Sequence, residues 1–203
     1  MSSIKLKGST SGDVTLTVPA VAGTNTITVP AETGDILTTV STSSNVLPTI
    51  NNSTAVATTS GTAVDFTSIP SGVKKITVLF NQVSTDGISP RLIQIGTSGG
   101  LVTSGYISAG AYMGLGMAGA VSTAGFLIGT GGAIADKTCG VATIQTLGSN
   151  VWTMEGNTSD GAVAYVKCGS GSITLGGVLD RIRLTTTSAD TFDHGSVNIA
   201  WEY

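Results

Sequence analysis

The sequence predicts an all-β protein, with an N-terminal β-repeat segment followed by an antiparallel β-sandwich or jelly-roll domain. Three observations predict this class. The 203 residues include 28 Gly but only 10% charged residues, and the abundant Thr, Val and Ser suit strands and turns better than helices. Apolar residues alternate with a period of two in many short runs. Gly, Asn and Asp turn signals separate those runs, and no run has a convincing helical period.

The same composition excludes several functional classes. Nine Lys and Arg stand against 12 Asp and Glu, for a net charge of -3, so no basic excess is present to bind nucleic acid electrostatically. One His and two Cys are too few for a multi-ligand zinc site. We therefore expect no metal, no cofactor and no nucleic-acid partner.

Residues 1–40 contain a short internal repeat. The run LTVPA at residues 16–20 recurs as ITVPA at residues 27–31. Alternation in each copy predicts a strand that a proline ends. The apolar positions that share a face in these strands are Val14, Leu16, Val18, Ile27 and Val29. Two or three such strands bury too little surface to be stable alone, so we expect them to need a partner.

Residues 41–61 are uncharged and rich in Ser, Thr and Asn, which predicts a linker. From residue 62 to residue 203, short alternating runs recur with turn signals between them, which predicts a sandwich of eight to ten strands. The predicted strands are residues 75–80, 90–95, 141–147, 151–157, 163–168, 172–175, 180–184 and 197–203.

A long Gly-rich stretch lacks charge between Arg91 and Asp136. Its apolar residues alternate from Ile107 to Met117, which favours one strand with one apolar face over a membrane-spanning helix. Such a strand either packs tightly against other backbone or presents a surface to a partner. The pattern GLGMAG at residues 114–119 fits a dinucleotide-binding motif but lacks the helix that the motif requires.

Few residues are candidates for catalysis, and we predict that the protein is not an enzyme. His194, the sole histidine, lies in a predicted surface turn. Cys139 and Cys168 are expected to be buried and reduced, with a disulfide as the alternative. A sugar-cleaving enzyme would need two carboxylates, for which the chain offers Asp136, Glu155, Asp160, Asp180, Asp190 and Asp193. The first seven residues lack the apolar region of a secretory signal, so we expect folding in a cytosol.

Two runs near the N-terminus carry a resemblance to a known family. The run KGSTSGDVTLTVPAVAGT at residues 7–24 and the run ITVPAETG at residues 27–34 resemble a segment common in tailed-bacteriophage tail-fibre and related virion proteins. The runs FTSIPSGVKKI at residues 66–76 and GSVNIAWEY at residues 195–203 are more loosely similar to phage fibre or adhesin domains.

The resemblance implies a non-enzymatic virion protein, made in the bacterial host cytoplasm and typically a homotrimer. The repeat segment would attach to other virion proteins through the apolar positions named above, without membrane insertion. The β domain would adhere to a host surface polysaccharide or outer-membrane receptor, and the candidate contacts are Tyr106, Tyr112, Trp152 and Tyr165, because aromatic faces pack against sugar C–H groups. The chain lacks a fibre shaft, which leaves a capsid-decoration or head-fibre protein as the alternative.

Overall fold

The computed structural model describes residues 3–7, 13–17, 50–114, 116–130, 136–161, 164–188 and 190–203. The chain divides into two compact units, residues 1–46 and residues 47–203. All regular structure in the described ranges is β-strand, and every strand pair is antiparallel. The predicted all-β class is confirmed.

The first unit contains one hairpin among its described residues. Strand β1 (Ser3–Lys7) pairs with β2 (Asp13–Thr17), and their register places Ile4 opposite Leu16 and Leu6 opposite Val14. Two of the five predicted attachment positions, Val14 and Leu16, therefore lie in a strand, as the alternation predicts. The other three, Val18, Ile27 and Val29, lie outside the described residues.

The second unit is a sandwich of two sheets. The larger sheet has nine strands in the order β10-β9-β14-β13-β12-β6-β16-β3, with β4 also paired to β16. Its strands are β3 (Asn51–Asn52), β4 (Val56–Ala57), β6 (Lys75–Thr85), β9 (Ile107–Met113), β10 (Met117–Ser122), β12 (Thr138–Gly148), β13 (Val151–Asp160), β14 (Val166–Thr174) and β16 (Phe192–Glu202).

The smaller sheet has five strands in the order β11-β7-β15-β5, with β8 also paired to β7. Its strands are β5 (Val64–Phe66), β7 (Arg91–Thr97), β8 (Gly100–Leu101), β11 (Phe126–Leu127) and β15 (Arg181–Thr186). On β15, Ile182 and Leu184 are buried while the two arginines are half-exposed, as period-two alternation predicts.

The hydrophobic core lies between the two sheets. The larger sheet contributes the inward positions of β6, including Ile76 and Val78, and the smaller sheet contributes Ile95 and Leu184, all in one buried cluster. Burial of each such side chain stabilises the fold by about 1.5–3 kcal/mol. The two half-exposed arginines lie outside this cluster, and Arg183 donates a bidentate pair of hydrogen bonds to Asp65 at 2.6 Å.

Several predicted boundaries differ from the structure, and three of the differences change the topology. Residues 51–57, inside the predicted linker, supply β3 and β4 to the larger sheet, while residues 41–49 lie outside the described ranges. The predicted strands 163–168 and 172–175 form the single strand β14. The predicted strand from Ile107 to Met117 is two strands, β9 and β10, joined by a turn in which the Gly114 N–H donates to the Gly116 carbonyl at 3.0 Å.

The turn between β9 and β10 explains why alternation did not reveal it. Met113 and Met117 are paired across the hairpin, so both point to the same face. Because they are four positions apart, an even number, period-two alternation continues through the turn without a break. In the described part of the chain, no helix has the length and apolarity needed to cross a membrane.

Candidate functional site

The outer face of the larger sheet, directed away from the core, is unusual at β9. Antiparallel sheets normally place apolar residues inward and polar residues outward, but β9 reverses this order. Ser108 and Gly110 are buried, whereas Ile107, Ala109 and Met113 are exposed. The apolar face predicted from the alternation therefore exists, but it points to solvent.

Close approach of β11 explains the reversal. A Cβ at Gly110 would lie 3.0 Å from Leu127 Cβ and 3.1 Å from Gly129 Cα, so only a glycine fits without displacing its neighbours. The buried Ser108 hydroxyl donates to the Ser170 carbonyl at 3.1 Å and accepts from the Leu127 N–H at 2.9 Å. The inward side of β9 is thus filled by backbone, and its larger apolar side chains are left on the outer face.

A continuous depression crosses this outer face, and we call it the outer-face groove. It consists of two cavities of about 690 and 840 Å³ that share Ala109, Val121, Glu155 and Ser170. Both volumes lie within the range of small-molecule sites. Residues from β9, β10, β12, β13 and β14 line the groove, so the sheet is concave on this side.

The two sides of the outer-face groove differ in polarity. The β9–β10 side is mainly apolar, with Ile107, Ala109, Ala111, Gly119 and Val121, and has hydroxyl groups only at its end, from Ser122 and Thr123. The opposite side consists of hydroxyl, amide and carboxylate groups, from Thr143, Gln145, Thr153, Glu155, Asn157, Ser170 and Ser172. Among the described lining residues, Glu155 carries the only charge. The groove can accept a ligand that has both an apolar face and many hydrogen-bonding groups.

Two of the four predicted receptor contacts are wrong because they are core residues. Trp152 is 5% exposed and Tyr106 is 1% exposed, so neither ring can pack against a ligand in solvent. The Tyr106 ring contacts Phe126 edge to face, with ring centroids 4.9 Å apart. Its hydroxyl accepts from the Ile95 N–H at 2.8 Å, and burial raises the pKa of this phenol to about 12 against the opposing effect of that hydrogen bond.

The other two predicted contacts, Tyr112 and Tyr165, form a pair. Their ring centroids are 5.0 Å apart and tilted by 40°, and both side chains are half-buried. The Tyr165 ring also occupies the space beside Gly114, where any Cβ would overlap it. The structure therefore brings these two rings together beside the β9–β10 turn, and their contact with a receptor stays a prediction.

The carboxylates that would serve a sugar-cleaving enzyme are mostly engaged in structural contacts. Asp136 and Asp160, both with fully buried side chains, lie 2.8 and 3.4 Å from the Lys167 ammonium. Arg91 completes this buried ion cluster by donating to the Asp136 carbonyl at 3.1 Å. Burial lowers the pKa of Arg91, although the nearby negative charges of Asp136 and Asp160 raise it in part. The cluster has no access to a polymeric substrate.

The remaining candidates are dispersed. His194 is exposed as predicted, but it lies within strand β16 and not in a turn, with a ring nitrogen 3.1 Å from the Gln82 carbonyl oxygen. Cys139 and Cys168 are free thiols, and both are half-buried rather than buried; β13 separates their strands. Within the described ranges, no group of three or more His, Cys, Asp and Glu side chains could hold a metal ion.

Sequence reasoning did not single out the polar side of the outer-face groove. Alternation in β13 places Thr153, Glu155 and Asn157 on one face, but nothing local to β13 shows that this face is concave. The chain matches no protein-family model, no curated protein and no solved structure. Function is therefore inferred from the groove and from the resemblance of the sequence.

Proposed function

We propose that this protein is a non-enzymatic adhesin on the surface of a tailed-bacteriophage virion, and that it binds a host-surface saccharide in the outer-face groove. The amphipathic lining of the groove carries the proposal. Sugar rings have apolar C–H faces and a rim of hydroxyl groups. The apolar side of the groove, at Ala109 and Val121, can pack against the C–H faces of a sugar ring. The amide and carboxylate groups of Gln145, Glu155 and Asn157 can form hydrogen bonds with its hydroxyl groups.

The chemistry of the groove favours a neutral or weakly charged ligand. Glu155 is the only charged group among the described lining residues, so a strongly anionic polymer would find no cation with which to pair. Small side chains, such as Ala111 and Ser170, leave the groove wide enough for a chain of sugars to enter from the side. The ligand class that fits is therefore a polyhydroxylated, uncharged segment of a surface polysaccharide.

The remaining parts of the chain fit a virion role. The separate unit of residues 1–46 contains the segment that resembles phage virion proteins, and we assign it to attachment to other virion proteins. Assembly as a homotrimer would present several grooves together, and such multivalency raises a weak affinity for one site into firm adhesion.

Glycan binding by the full-length protein tests the groove directly. The probe is a panel of purified neutral bacterial polysaccharides, with binding measured by biolayer interferometry. Ser170→Arg fills the floor of the groove from an exposed position, and we expect it to weaken binding at least tenfold. Ser71→Arg, at an exposed turn outside the groove, is the matched control and should bind as the parent does. Equal binding by both variants would place the ligand elsewhere.

Experiments on the virion separate adhesion from the alternative roles. An adhesin should adsorb to host cells and block infection, and particles that lack it should fail to adsorb. A decoration protein would instead leave adsorption intact, while particles without it would release DNA at a lower temperature. Oligosaccharides released from host polysaccharide during incubation with the protein would show a depolymerase and would contradict a binding-only role.

A further inference from the structure

Among the described residues, the larger sheet has one long edge that no strand pairs with, at β10. Proteins usually blunt an exposed edge with short strands, charged residues, proline or a covering segment. The opposite edge of this sheet is blunted in that way, because β3 and β4 have two residues each. Strand β10, with the sequence MAGAVS, has six residues without charge or proline, and its side chains are exposed or half-exposed.

Hydrogen bonds in the hairpin show which backbone groups of β10 point outward. The Gly114 N–H donates to the Gly116 carbonyl, so these two residues are a hydrogen-bonded pair of the hairpin. Because bonding alternates along an antiparallel strand, the even-numbered residues within the register of β9 and β10 bond inside the hairpin. The register between β9 and β10 then directs the N–H and C=O groups of Met117, Gly119 and Val121 away from the hairpin.

We propose that β10 pairs with β10 of a second copy of this chain, antiparallel about a two-fold axis at Gly119. This register places Met117 opposite Val121 of the other copy and makes about six main-chain hydrogen bonds, two for each facing pair. It also keeps the outer faces of both copies on the same side, because facing residues keep the same orientation.

The side chains of β10 favour a second copy over another partner. Met117 is 80% exposed and Val121 is 84% exposed, and the proposed register brings these two apolar side chains into contact twice, once on each side of the axis. The uncharged strand does not repel its own copy. Stacking of outer face on outer face is disfavoured because that face is concave, whereas edge pairing extends the concave surface across both copies.

The two-fold contact does not require saccharide binding, although Gly119 and Val121 also line the outer-face groove. A closed two-fold interface joins copies in pairs, so it makes a dimer of a monomeric chain, and a hexamer of a trimer when the two-fold and three-fold axes intersect. Loss of the contact would therefore halve the mass in either case. Glycan binding by the groove of a single copy would continue without it.

Crosslinking of the full-length protein tests the proposed register. In a background with Cys139→Ser and Cys168→Ser, Gly119→Cys places two thiols across the axis, where facing Cα atoms are about 5.5 Å apart. Val121→Cys places the two thiols about 14 Å apart, since they are four residues out of line at about 3.4 Å each. We expect a short bismaleimide to join Gly119→Cys into dimers on a denaturing gel far more efficiently than Val121→Cys or Leu147→Cys, the exposed control on β12.

Sedimentation provides a measurement that does not depend on crosslinking. Gly119→Lys places two like charges opposite each other at the axis, and the added Cβ meets no atom closer than 3.7 Å, so the fold should persist. We expect this variant to have half the mass of the parent, while Leu147→Lys keeps the parental mass. The proposal is overturned if Gly119→Lys keeps the parental mass, if the parent is a monomer, or if Val121→Cys crosslinks as well as Gly119→Cys.

Discussion

At the scale of single residues, Tyr106 shows how one side chain can complete the edge of a sheet. Along one side of β7, strand β11 pairs at Leu92 and Ile93, and β8 pairs at Gly96 and Thr97. The Tyr106 hydroxyl lies in the gap between them, where it accepts from the Ile95 N–H at 2.8 Å. Tyr106, which the sequence predicts as a receptor contact, therefore stabilises the core instead.

The raised pKa of Tyr106 predicts a loss of stability at high pH. An unfolded tyrosine ionises near its ordinary pKa of 10.0, whereas burial raises the pKa of Tyr106 in the fold to about 12. Its contribution is therefore complete below pH 10 and is lost as the pH rises to 12. A shift of about two units corresponds to about 3 kcal/mol of unfolding free energy, measurable by urea denaturation across this range.

Tyr106→Phe is the control for that prediction. It removes the titrating group, so the part of the pH dependence that belongs to Tyr106 should disappear. At pH 7 it should cost about 1–3 kcal/mol, because the buried Ile95 N–H loses its acceptor. An unchanged alkaline profile in this variant would assign the loss of stability to other groups.

At the scale of elements, the close contact between β11 and the larger sheet determines which face of β9 and β14 points outward. A Cβ at Gly169 on β14 would overlap the Leu127 carbonyl oxygen and lie 2.9 Å from the Leu127 carbonyl carbon. Since these are backbone atoms, a rotamer change cannot relieve the overlap. Gly110 and Gly169 are thus required by the packing between the two sheets.

Gly169→Ala tests that contact. We expect it to destabilise the fold by about 1–3 kcal/mol, because β11 must move away from β14 to admit the methyl group. Gly176→Ala, at an exposed position with no atom within 4 Å of the added Cβ, should change stability by less than about 0.5 kcal/mol. The melting temperatures of the two variants, measured by thermal unfolding, give this comparison. Equal melting temperatures would mean that β11 can move away from β14 without loss of stability.

The same contact explains what the sequence could and could not predict. Strands such as β6 and β15 follow from alternation, because their apolar positions, including Val78 and Ile182, are those that the core buries. The outward face of β9 does not follow, since it depends on β11, which is distant in sequence and packs against Gly110. The groove was missed for the same reason: the concavity at Glu155 arises from five strands together.

At the scale of the whole molecule, the unit of residues 47–203 contains a hydrophobic core of its own. Every residue of the buried hydrophobic cluster lies between Val64 and Ile199, within the unit of residues 47–203. Its first strand, β3, pairs with β16 near the C-terminus, where Asn51 faces Trp201. The sandwich is therefore closed by residues on its own side of the boundary.

A fragment of residues 47–203 should fold alone and melt within a few degrees of the full chain, because no residue of the cluster is removed. If β10 pairs as proposed, the fragment with Gly119→Cys should still crosslink into dimers, while any trimer held by residues 1–46 should be lost.

A fragment that starts at residue 62, the boundary that composition predicts, would lack β3 and β4 and leave their bonding edge of β16 open. We expect this shorter fragment to melt at a clearly lower temperature, as followed by circular dichroism; equal melting of the two fragments would show that β3 and β4 contribute little.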